Sequence, residues 1–173
     1  MIKLVKLDTK YKKQLIEMMD EWNNIKEKII PYAISRIDYH YFDLYLNNLE
    51  TLEKEKTKVD SQVYFCLDTK TNKFIGAVTI RLTLTDELLL RGGHIADGIR
   101  PSERSKGYGT KLVSLALNKC KELGLNKVLM VCDKDNIPSS KTIIKNNGIL
   151  ENEIKIENQI IQRYWITLQE EQK

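Results

Sequence analysis

Residues 104–110 read Arg104-Ser105-Lys106-Gly107-Tyr108-Gly109-Thr110. The types and spacing suit a site for a phosphate or diphosphate. Gly107 and Gly109 let the backbone approach a ligand with no Cβ in the way. The stretch runs straight into an amphipathic segment. The first turn of a helix there leaves N–H groups without intrahelical partners and carries the positive end of the helix dipole. Arg104 and Lys106 add formal charge. A strand-like run ending at Ile99, followed by Arg100-Pro101, delivers the chain to this point. Strand, glycine loop and helix N-terminus together make an anion site. The competing reading is a glycine-lined turn before an ordinary helix.

Spacing separates the phosphate loops that share this physics. A Walker loop needs Lys then Ser/Thr directly after its last glycine, and here Gly109 is followed by Thr110-Lys111, in the wrong order. A dinucleotide fingerprint needs a third glycine three residues after the second, and that position is Leu112. The third type, Arg/Gln-x-x-Gly-x-Gly/Ala, binds the pyrophosphate of coenzyme A. Arg104-x-x-Gly107-x-Gly109 fits it at each fixed position. The stretch therefore resembles motif A of the GNAT superfamily of N-acetyltransferases.

The elements that must carry this loop fill one domain. A chain of 173 residues, 42% hydrophobic and 30% charged, has material for a sizeable core and is not of disordered composition. No apolar run approaches the length of a membrane span, and no charged-then-apolar leader opens the chain. The net charge of +4 is mild, and no Lys/Arg tract of nucleic-acid type occurs. Cys66, Cys120 and Cys132 are widely spaced among apolar neighbours. They read as buried thiols of a reducing, cytoplasmic compartment rather than metal ligands.

Periodicity predicts a strand over 2–7 and a helix from Asp8 or Thr9 to about Asn24, with Leu15, Ile16, Met18, Met19 and Trp22 on its inner side. A stretch without clear pattern, broken by Pro31, precedes a helix over about 38–55 with apolar Tyr41, Phe42, Leu44, Tyr45, Leu49 and Leu52. A hairpin over 63–67 and 74–82 and a strand over 92–100 lead into the glycine loop. The following helix is ended by Gly124. Residues 128–132, apolar throughout, read as a central strand covered on both faces. Asp135 or Asn136 caps a helix with Pro138 in its first turn. Segments 150–156 and 160–168 close the chain as a hairpin.

This order is similar to that of GNAT enzymes along essentially the whole chain. Within them it resembles a bacterial subgroup of predicted acetyltransferases marked by Gly92-Gly93-His94-Ile95, Arg100 to Arg104, and Cys132 to Asn136. The resemblance implies an α/β fold: a single GNAT-type domain with a mixed, mostly antiparallel central sheet, splayed central strands and flanking helices. It implies acetyl-CoA as acetyl donor and direct transfer to a primary amine on a small molecule or peptide, in a monomer or homodimer, with no nucleic acid or membrane partner. The backbone of Gly98, Ile99 and Arg100 would pair with the pantetheine arm, and Ile99 N–H would polarise the thioester carbonyl. Arg104, Ser105, Lys106, Gly107, Tyr108, Gly109 and Thr110 would hold the pyrophosphate. Asn136 and Ser139, matching the family's Asn-x-x-Ser/Ala, would touch the pantetheine.

The catalytic pattern departs from the family's. The strand before motif A often carries a Glu as base, and this chain has His94 and Asp97 there. His94 has the ordinary pKa for proton transfer, or it is a structural imidazole. Asp97 can bind an ammonium or draw a proton through water, or it is a capping carboxylate. The usual acid is a Tyr seven residues after the helix-capping Asn; that position is Ile143. Tyr108 and Tyr164 are possible substitutes. Tyr32, Tyr39, Tyr41, Phe42 and Tyr45, with Asp38 and Asp43 beside them, lie where the family builds its acceptor wall. Asp133 would face Asp97 across the splay. The missing Tyr and Glu leave a second function open, a CoA-binding regulatory or sensing module.

Overall fold

The computed structural model describes residues 1–168. Its strands form two antiparallel sheets. The first has the order β1-β2-β3-β4, from Ile2–Val5, Ser61–Asp68, Lys73–Arg81 and Ile95–Ile99. The second has the order β5-β7-β6, from Lys127–Asp133, Gln159–Thr167 and Ile149–Ile156. The β2–β3 hairpin is apolar on both faces. Val63, Phe65 and Leu67 enter one core, while Tyr64 and Cys66 enter the other.

Each core has its own helices. On one side lies α1 (Lys12–Asn24), which presents Leu15, Met18, Met19 and Trp22 at helical spacing. Beside it lies α2 (Phe42–Thr57), with Phe42, Tyr45 and Leu49 buried. On the other side α4 (Tyr108–Glu122) buries Leu112, Val113, Ala116, Leu117 and Cys120 against both sheets. Its end is marked by Gly124 at φ +88°. The thiols of Cys66, Cys120 and Cys132 are buried and unpaired.

Two expectations are corrected. Helix α2 starts at Phe42 rather than near 38, because the Asp38 carboxylate accepts the His40 N–H at 2.9 Å and closes a local turn instead. Tyr41 and Leu44 consequently point outward. The strand expected over 92–100 runs only from Ile95 to Ile99, because a short helix, α3 (Asp86–Arg91), precedes it and closes at Gly92. The signal for α3 is Thr85, whose hydroxyl accepts the Leu88 N–H at 3.2 Å. Strand β5 is not flanked by strands along its length. It pairs with β7 on one edge only.

That open edge is the central feature of the fold. In β4, Arg100 N–H donates to Ile75 O, and His94 O accepts Arg81 N–H, so even-numbered residues face β3. The N–H and C=O groups of Asp97 and Ile99 therefore face the other way. In β5, Leu129 bonds toward His94 while Lys134 N–H reaches Ile160 O of the β6–β7 hairpin, so Leu129, Val131 and Asp133 face β4. The two strands touch at one end and diverge along their length.

Candidate active site

The closed end of the V is a reciprocal pair. His94 N–H donates to Leu129 O at 2.8 Å, and Leu129 N–H donates to His94 Nδ1 at 2.9 Å. The imidazole thus replaces a missing ladder partner and is fixed with Nδ1 as acceptor. Burial, followed by the nearby Arg81 charge, pushes its pKa down to about 4. Gly93 makes room for this contact: a Cβ there would lie 2.5 Å from Leu129 O.

The open end of the V is a cleft of about 590 Å³. Its floor is Asp97, Gly98 and Ile99 of β4. One wall is the loop and helix start at Glu103, Arg104, Ser105, Gly107, Gly109 and Thr110. A second is the start of α5 (Ile137–Lys145), with Asn136, Pro138, Ser139 and Thr142. The third is Trp22 of α1 with Glu27, Lys28 and Ile30. The 25–31 segment rests directly on β4, since a Cβ on Gly98 would lie 1.9 Å from Ile30 O.

The glycine loop has the geometry of an anion cradle. Ser105 at φ +61° and Gly107 at φ +81° alternate the backbone through the left-handed region, and Gly107 is the N-cap of α4. Apart from Gly107 itself and its two chain neighbours, no protein atom lies within 4 Å of where a Gly107 Cβ would be. Asn136 Oδ1 accepts the Ser139 N–H at 3.3 Å and caps α5. Asp97 is half-buried on the cleft floor, and burial pushes its carboxyl from 3.8 up to about 6, its own amide partly offsetting this.

The cleft thus gathers Asp97, Gly98, Ile99, Arg104, Ser105, Gly107, Gly109, Thr110, Asn136 and Ser139. It does not gather the rest. His94 is in the stitch and is not among the lining residues. The Arg100 side chain is buried, with Nε on Glu21 at 2.9 Å and Nη1 on Phe74 O at 3.0 Å. Lys106 is paired with Glu103 at 3.1 Å. Tyr108 packs against the α4-side core, and Tyr164 donates to Gln162 Oε1 at 2.9 Å. Ile143 is buried at 1% exposure. None of the aromatics at 32, 39, 41, 42 and 45 is a lining residue; Trp22 is the aromatic wall instead. Asp133 borders an adjoining hollow with Asp135, Asn136 and Gln159. Trp22, Glu27, Lys28, Ile30, Glu103, Pro138 and Thr142 are the cleft residues that sequence reasoning did not place there. Thr142 carried a signal, lying one turn beyond Ser139 on the same helix.

A family model described as an acetyltransferase (GNAT) domain matches residues 17–148. The chain belongs to the GNAT acetyltransferase family. Its fold is shared with the microcin self-immunity acetyltransferase MccE, solved with acetyl-CoA and AMP, at 17% identity and TM-score 0.63 over 96% of this chain and 92% of that one. A Salmonella typhimurium acetyltransferase that modifies the N-terminal serine of a 50S ribosomal subunit protein has 11% identity and TM-score 0.68 over 97% and 95%. Mutant forms of the Vibrio cholerae spermidine/spermine N-acetyltransferase SpeG have 17% identity and TM-score 0.62 over 96% and 93%. Among curated proteins none matches this sequence. Acetyl-CoA is the acetyl donor of this family. The cleft fits such a donor: an open α4 N-terminus lies at one end and an unpaired β4 edge along the floor. Among the described residues no helix is long and apolar enough to cross a membrane.

Proposed function

We propose that this GNAT acetyltransferase moves the acetyl group of acetyl-CoA directly onto a primary amine, with Ile99 N–H and Asp97 as the acting groups. The observation that carries this is their placement together on the inward edge of β4, at the floor of the cleft that ends in the glycine loop. Acetyl-CoA supplies an acetyl carbon activated as a thioester. Backbone amides from Ser105 to Thr110 hold its pyrophosphate, and the inward edges of β4 and β5 receive the pantetheine as an added strand. Ile99 N–H stabilises the charge that builds on the carbonyl oxygen. Alignment supplies much of the remaining acceleration.

An ammonium must lose a proton before its nitrogen can attack. A carboxyl held near 6 is ionised at neutral pH and basic enough to accept that proton, directly or through water. The new C–N bond forms as the C–S bond breaks, and the sulfur leaves with the bond's electron pair. Ser139 and Thr142 are the hydroxyls along the α5 wall. They stand in for the absent Tyr in assisting the thiolate. Asp97 on the cleft, with Asp133 beside it, favours a cationic acceptor, a small amine or a peptide amino terminus. The buried free thiols support a reducing, cytoplasmic setting.

Incubation of acetyl-CoA with polyamines, aminoglycosides, amino acids and peptides, with free thiol as readout, tests this reading. Thiol release that depends on one amine class is expected. A sensing module is the second reading, favoured by buried Ile143 at the usual Tyr position. It binds CoA and releases no thiol across the panel.

A further inference from the structure

The loop's arginine is engaged by an acid that comes from across the cleft. Arg104 Nη1 donates to Glu27 Oε2 at 3.1 Å, and Nη2 donates to Glu27 Oε1. The same Oε1 accepts the Trp22 indole N–H at 2.8 Å. The guanidinium lies 5.7 Å from the Trp22 ring, and its Nε donates to Ile99 O at 3.0 Å. Arg104 first, then Trp22, holds the Glu27 carboxyl below its ordinary range. This arrangement ties the 25–31 segment to the glycine loop. It also covers the Ile99 carbonyl, one of the β4 groups that faces the splay.

We propose that Glu27 is an internal stand-in for the donor's diphosphate, and that donor binding proceeds by partner exchange on Arg104. The proposal rests on the reading that CoA donors occupy this cleft. Both side chains are about 40% exposed, at 42% and 37%, so the pair is screened and easily parted. A diphosphate offers more charge and the same bidentate geometry. It would also meet the left-handed turns at Ser105 and Gly107 and the first turn of α4, which no side chain caps. Transfer of the guanidinium releases Glu27, uncovers Ile99 O for an amide of the pantetheine, and frees the 25–31 segment from the loop. Glu27 is thus a specificity-determining residue: it makes a donor phosphate the condition for opening the Ile99 carbonyl. Lys106 pairs with Glu103 only three residues away, so that pair crosses nothing.

Calorimetric titration of the full chain with CoA tests the exchange in wild type, Glu27→Gln, Arg104→Ala and the double variant. Removal of the competitor should tighten CoA about two- to five-fold, as expected for an exposed ion pair that lowers the competent fraction. Arg104→Ala should weaken CoA. Glu27→Gln added to Arg104→Ala should then give no tightening. In a Trp165→Phe background, Trp22 emission should shift on CoA addition with Glu27 present and shift little in Glu27→Gln. The proposal is overturned if Glu27→Gln leaves affinity unchanged or weaker. It is also overturned if the tightening persists without Arg104, which marks a general charge effect. Failure of all four proteins to bind CoA would instead remove the donor reading on which the exchange rests.

Discussion

Replacing Asp97 with Asn should make the protein more stable and less active at neutral pH. The folded-state pKa is raised, from 3.8 to about 6. The fold therefore disfavours the charged form, and the cost appears only as that form is populated. Below pH 3.8 the residue is neutral in folded and unfolded chains, and no penalty exists. The penalty grows as pH rises and levels off above about 6. A shift of this size amounts to about 3 kcal/mol at pH 7, and to roughly half of that at pH 5. Asn has nearly the same shape and no charge, so it should recover most of this. Urea unfolding of both proteins at pH 4, 5 and 7 measures the difference. Catalysis should move the other way, with kcat/KM falling by roughly 10²–10⁴-fold. In wild type, kcat/KM should lose activity as pH falls through about 6, and the variant should lose this limb. A stability gain that is the same at all three pH values would refute the burial argument. An unchanged rate and pH profile would refute Asp97 as proton acceptor.

His94 should behave as the opposite case. Its folded pKa lies near 4 against an ordinary 6.5, so it contributes full stability above 6.5 and loses it as pH falls toward 4. His94→Ala should cost about 1–3 kcal/mol at pH 7 by leaving the Leu129 N–H unpaired, and should flatten stability between those pH values in chemical denaturation. Gly107→Val should strain the backbone at φ +81° and abolish CoA binding in calorimetry. Gly109→Ala meets only ordinary contacts, 3.6 Å from Thr142 Oγ1, so its melting temperature should hold while CoA affinity falls. Gly98→Ala drives a Cβ into Ile30 O at 1.9 Å and should cost about 1–3 kcal/mol or more in thermal unfolding.

The glycine loop, the α5 cap and most strands were legible because local rules set them. Gly107 supplies the left-handed residue just before α4, and Asn136 caps α5 with its own side chain. Legibility ended where partners lie far apart in sequence. Nothing near His94 shows that Leu129 will bond its ring, and that bond turns a candidate base into a structural link. Arg104 fitted the motif at its position, yet its side chain is settled by Glu27, from a segment with no regular pattern. Trp22 was legible as an inward residue of α1, but its second role as cleft wall depends on how the 25–31 segment returns over β4. Arg100 reads as a cationic neighbour of the loop; Glu21 of α1 draws it inside.

The divergence of β4 and β5 leaves two runs of backbone donors and acceptors without ladder partners, in the middle of the molecule rather than at its rim. Bare strand edges elsewhere invite pairing with other chains. Here they are recessed between α4 and the 25–31 segment, in a space of about 590 Å³. A slender amide-bearing chain meets such a recessed edge with less obstruction than a folded neighbour's strand with its side chains. An edge that would invite self-association on a surface is thereby withdrawn into the fold, where only an extended chain can run along it.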